Sequence, residues 1–90
     1  MKIYDYNGKK NISGERIRQA RRKCGLTQEN LAARMQIEGV ILERDSLSRI
    51  EIGTRFVADY ELLVFARVLH VPVEWLLGCS GTSCREPNSP

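Results

Sequence analysis

From Ser13 onward, apolar residues return every three or four positions, and the pattern is broken by short stretches that contain Gly, Pro or Thr. Ile17, Ala20, Arg21 and Cys24 share one helical face, with Ser13 placed to cap and Gly25 to stop it, which predicts a first helix over about 14–24. Thr27 caps a second, over about 28–36, that carries Leu31, Ala32 and Met35 inward and sets Glu29 in its first turn against the helix dipole. A third, over about 44–52, divides into Leu47, Ile50 and Glu51 on one side and Asp45, Ser48, Arg49 and Ile52 on the other, and Gly53 ends it. Residues 59–69 form a strongly apolar fourth, with Leu62, Phe65, Ala66 and Leu69 at core spacing and His70 near its end; residues 73–77 form a short fifth closed by Gly78. Residues 36–43 hold one Gly and a short β-branched run, and read as an extended connection.

The pattern is that of an all-α domain over residues 13–78. Residues 1–12 lack helical periodicity and read as a flexible arm, mobile or loosely docked; residues 79–90, rich in Ser, Gly and Pro, read as a disordered tail. Ninety residues at 42% hydrophobic content suffice for one core, not two. The net charge of +3 says little, but its distribution says more: residues 1–55 carry a net +5 and residues 56–90 a net −2. A chain polarised in this way is expected to present one end to an anion. No run approaches the roughly 18 apolar residues of a membrane span, and the start lacks the apolar stretch of a signal peptide, so the expected location is the cytoplasm. Three cysteines, Cys24, Cys79 and Cys84, are an odd number, and reduced thiols are expected.

Two charges fall where the periodicity calls for apolar side chains: Arg21 between Ile17 and Cys24, and Glu51 beside Leu47 and Ile50. A lone buried charge costs several kcal/mol, whereas a hydrogen-bonded pair roughly offsets its desolvation, so the two are expected to meet. The alternative is that each snorkels to solvent from the edge of its helix.

The run Leu26-Thr27-Gln28-Glu29-Asn30-Leu31-Ala32, then Leu47-Ser48-Arg49-Ile50-Glu51 with Gly53, then Leu69 to Leu77 (LHVPVEWLL), resembles the phage-repressor (Cro and repressor, or XRE) helix-turn-helix family over about residues 14–78. The resemblance implies a five-helix, lambda-repressor-like DNA-binding domain and a sequence-specific transcriptional regulator with no cofactor and no metal. It also implies a fixed ion pair at the positions of Arg21 and Glu51, and a phosphate-binding side chain at Gln28, where the start of a helix adds free N–H groups. The sequence departs from the family pattern in four places. The link between helices 2 and 3 is about five residues longer, Thr54 stands where a basic residue is common, Ile52 where a polar one is, and Pro72 where Ser or Thr caps the fifth helix.

One α-helix fits the major groove, and the third helix is the candidate. Its facing and the resemblance put Arg44, Asp45 and Arg49 at base edges of double-stranded DNA, with Ser46, Ser48, Gln28 and Arg55 at the backbone. Arg pairs with guanine and Asp accepts from the cytosine amino group, so a site containing G and C is expected; Asp45 and Arg49 are also i, i+4 partners that pair with each other on a solvated face. Val64 and Val68 lie off the core stripe of the fourth helix and, with Trp75, suggest a homodimer surface on the fourth and fifth helices, unless the domain itself surrounds the fourth helix. The rival function is a protein-interaction module of the same fold, an accessory or antitoxin-like subunit with weak or no DNA binding. A zinc site at Cys24, His70, Cys79 and Cys84 has the wrong spacing, and an enzyme lacks a nucleophile–base pair or a phosphate loop.

Overall fold

The computed structural model describes residues 6–79. Five helices follow one another: α1 (Gly14–Lys23), α2 (Gln28–Ile37), α3 (Arg44–Ile52), α4 (Asp59–Leu69) and α5 (Val73–Leu76). Each boundary lies within one residue of the position read from the periodicity, because local chemistry marks it. Thr27 and Asn30 form a reciprocal capping box at the start of α2, Asn30 N–H donating to Thr27 Oγ1 at 3.0 Å and Thr27 N–H to Asn30 Oδ1 at 3.3 Å. At the end of α1, Leu26 N–H reaches back to the Arg21 carbonyl and Gly25 N–H to that of Arg22, the closure a left-handed glycine permits. Gly53, with φ at 101°, closes α3 in the same manner.

The inner faces meet around Phe65, Ile17, Leu31, Met35, Leu47, Ile50, Leu69 and Leu76, all of them fully buried. α1 packs against α3, α4 and α5, while α2 packs against α3 and α4, so α4 is enclosed on most sides. That enclosure takes Val64 out of the expected homodimer surface and leaves Val68 and Trp75 partly covered. Val64 is buried in the core of its own chain, Val68 is half-covered by it, and Trp75 packs on the core with the Arg16 guanidinium 4.9 Å from its ring centre. Leu62 is only half-buried, and Cys24, expected inward, is exposed because it caps α1 beyond the last inward-facing turn. Cys24 is a free thiol, but Cys79 is disulfide-bonded, which corrects the expectation of reduced thiols at that position.

The connection after α2 is a structural element in its own right. Gly39 turns the chain, Val40 N–H bonds the Met35 carbonyl at 3.0 Å, and the chain then runs without helix or turn to Glu43, the extended N-cap of α3. Val40 and Leu42 enter the core and Ile41 points to solvent, the period-two alternation of extended backbone.

Residues 6–12, read from the sequence as part of a flexible arm, are hydrogen-bonded to the domain. Tyr6 and Lys9 exchange both backbone hydrogen bonds across a turn in which Asn7 and Gly8 take φ of 53° and 82°, the requirement of a type I′ hairpin. Lys10 N–H then donates to the Gly53 carbonyl at 2.8 Å. Asn11 completes the attachment: its Nδ2 donates to the carbonyls of Ile50 at 3.0 Å and Arg55 at 2.8 Å, and its Oδ1 accepts from Gly14 N–H at 2.7 Å. Asn11, rather than the expected Ser13 side chain, therefore satisfies the first N–H of α1. Gly14 is needed here because a Cβ at this position would overlap the Ile50 carbonyl oxygen. Residues 1–5 and the expected disordered tail from residue 80 lie outside the described residues.

Candidate nucleic-acid interface

The arrangement begins with the two buried charges. Arg21 and Glu51 meet in a two-point contact, Nε to Oε2 at 2.7 Å and Nη2 to Oε1 at 3.1 Å, with side chains 11% and 3% exposed. The remaining guanidinium nitrogen, Nη1, donates to the Leu26 carbonyl at 2.8 Å, and Gln28 Nε2 donates to Glu51 Oε1 at 3.1 Å. No buried side-chain polar atom among the described residues lacks a partner, so the pair is fully compensated in the sense that makes a buried ion pair tolerable. One network thus ties the middle of the domain to the end of α3 and the start of α2, and fixes how the outer side of α3 stands relative to the α2 N-terminus.

Around that network lies an open cleft of about 370 Å³, bounded by Arg18, Arg22, Gln28, Ser48 and Ile52 with Arg21 and Glu51 at its base. Gln28 keeps a second amide hydrogen, and the first N–H groups of α2 have no helical carbonyl to bond. The rim is basic through Arg18 and Arg22, both exposed. Such a cleft favours an anion by charge and by donor supply.

The outer side of α3 adjoins it. Arg44 is exposed in the first turn, and Asp45 and Arg49 are exposed and 3.4 Å apart, as i, i+4 spacing allows. That separation is a loose surface pair worth well under 1 kcal/mol, so both side chains remain available to another partner. Ser46 and Ser48 are half-buried at the margins of the helix. Thr54, just past the helix, is exposed, with its hydroxyl donating to the Arg49 carbonyl at 3.4 Å.

Arg55, expected at the DNA backbone, is engaged within its own chain. Its guanidinium donates to the Phe56 carbonyl at 2.9 Å and to both oxygens of Glu61, at 3.1 and 3.2 Å. Glu61 is buried, and its Oε1 also accepts Ala58 N–H at 2.9 Å, closing the start of α4. A buried carboxylate needs a counter-charge, and Arg55 supplies it. Sequence reasoning missed Glu61. Its signal was available, an acidic residue three positions after the N-cap that reaches back to the free N–H. It missed the Asn7-Gly8 hairpin as well, although that dipeptide is the strongest short turn signal.

Among the described residues, no three His, Cys, Asp or Glu side chains gather closely enough to hold a metal ion, and no helix is long and apolar enough to cross a membrane. A capped helix, a linking segment and a second helix whose polar face is turned outward, steadied by a third helix through an ion pair, make up a helix-turn-helix unit. The chain belongs to the helix-turn-helix domain family, which it matches over residues 14–81. No solved structure matches the chain.

Proposed function

We propose that this protein is a sequence-specific transcriptional regulator of the phage-repressor type, which places α3 in the major groove of double-stranded DNA. The observation that carries the reading is the fixed relation of two surfaces: the network of Arg21, Glu51 and Gln28 ties the N-terminus of α2 to α3, whose far side exposes Arg44, Asp45 and Arg49. The first surface suits phosphate and the second suits base edges. In this reading Arg44 and Arg49 bond guanine, Asp45 accepts from cytosine, and Gln28, Ser46 and Ser48 hold the backbone. Arg55 acts indirectly, by holding the chain between α3 and α4. The protein works in the cytoplasm, and it binds as a homodimer whose contact draws on the outer sides of α4 and α5, where Tyr60, Leu63 and Leu77 remain exposed.

Selection of bound sequences from a random duplex pool, followed by affinity measurements over a salt series, tests the reading. A single recovered motif, bound with an affinity that falls steeply as salt rises, is the expected result. A pool that never enriches would instead favour the protein-interaction module. The commitment of Arg55 to Glu61 favours that second reading, since it removes one cation from the phosphate-facing set.

A further inference from the structure

We propose that Ile41, in the lengthened connection between α2 and α3, is a specificity-determining residue that packs against the C5-methyl group of a thymine. The proposal rests on the reading of α3 as the groove-reading helix. Ile41 is 77% exposed, whereas its neighbours Val40 and Leu42 are 7% and 6% exposed and belong to the core. Alternation along the segment therefore aims Ile41 away from the core and into solvent, three residues before Arg44 at the start of α3. Both ends of the segment are held, at one end by the Val40 N–H bond to the Met35 carbonyl and at the other by the Glu43 carbonyl, which accepts Leu47 N–H at 3.0 Å. The side chain is itself β-branched and stiff about its first torsion, so little conformational freedom remains to be lost on contact.

The chemistry of the segment selects the occupant. Residues 38–43 contain no Lys or Arg, and so have nothing with which to grip phosphate; Glu38 is turned toward Arg67 of α4, 3.9 Å away. Ile37, exposed at the end of α2, borders a separate groove with Arg34, Arg67 and Val68, and Ile52, exposed at the far end of α3, lines the cleft beside Gln28 and Ser48. What the segment offers beside the start of α3 is one rigid apolar side chain. In the major groove the feature such a side chain distinguishes is the thymine methyl. Ile41 precedes Arg44 by three residues, a reach of at most about 10 Å. With the two side chains added to that backbone span, and at roughly 3.4 Å per base-pair step, its thymine lies within a few base pairs of the base that Arg44 reads.

The test uses the full chain and its selected site. Each thymine of that site is replaced singly by deoxyuridine, which lacks only the methyl, and Arg44→Ala locates the base pair that Arg44 reads, near which the responding thymine should lie. One such replacement should weaken the wild-type protein about fourfold, the value of one buried methyl-sized group. Ile41→Ala should bind the thymine and uracil sites equally, with an unchanged unfolding midpoint. If Ile41→Ala keeps the wild-type ratio, or if no uracil replacement affects the wild type, the proposal fails while DNA binding stands. If Ile41→Ala instead alters self-association and leaves the ratio alone, Ile41 belongs to a protein contact and the proposal also fails. A chain that selects no DNA would overturn both this proposal and the function on which it rests.

Discussion

Arg21 and Glu51, thirty residues apart in the chain, are joined by two hydrogen bonds in the interior, and Gln28 bonds the same carboxylate from the start of α2. The contact makes three helices answer to one carboxylate. Removing either charge leaves the other buried without a partner, so Arg21→Ala or Glu51→Ala should each cost about 3–5 kcal/mol in urea unfolding. A double-mutant cycle should return a coupling energy of at least 1 kcal/mol in order of magnitude. Additive single effects would show that the pair contributes packing alone.

Gly14 and Asn11 bind the arm to the end of α3 from two directions. Gly14→Ala drives a methyl group into the Ile50 carbonyl and should cost about 1–3 kcal/mol, the usual penalty of overpacking. Asn11→Ala removes the acceptor for Gly14 N–H and the donor to two carbonyls, and should cost about 0.5–2 kcal/mol. Amide exchange at Gly14 and Lys10 should accelerate in Asn11→Ala. Unchanged exchange there would mean that the arm is held by its backbone bond to Gly53 alone.

Arg49 separates base reading from simple attraction. Arg49→Ala should cost roughly 1–3 kcal/mol at the selected site and flatten the preference at one base pair, with non-specific affinity nearly unchanged. Affinities for every single-base variant of the site provide the check. A uniform loss across all variants would make Arg49 a phosphate contact, a role that its loose pairing with Asp45 at 3.4 Å leaves open.

Val64 decides between core and interface on the fourth helix. Buried within its own chain, it should respond to Val64→Ala with a loss of about 2 kcal/mol that does not depend on protein concentration. A loss that grew on dilution would return Val64 to a contact between two chains.

The helices were legible because their ends carry chemical marks at fixed offsets: Thr27 with Asn30, Gly25, and Gly53. The buried pair was legible for a different reason, since a charge at a core position demands an opposite one, and Arg21 and Glu51 were the two misplaced charges that the inner faces of the first and third helices presented. The arm was not read because its attachments run to main-chain carbonyls of Ile50, Gly53 and Arg55, and hydrogen bonds of that kind leave no hydrophobic period in the sequence. The place of Val64, core or interface, is undecided in the sequence because a single helical stripe presumes one packing partner, whereas α4 contacts α1, α2 and α5. The pairing of Arg55 is not legible because the acid that claims it, Glu61, lies six positions further on and in the next helix.

The hairpin of residues 6–9 and the Asn11 clasp are already assembled on the end of α3 in the free chain. A segment that folded only on meeting its partner would bury its contacts at that moment and would add a negative heat-capacity change and an ordering cost to association. Here both belong to folding. Calorimetry of association should therefore show a heat-capacity change no larger than the contact surface itself explains, with nothing added for residues 6–11.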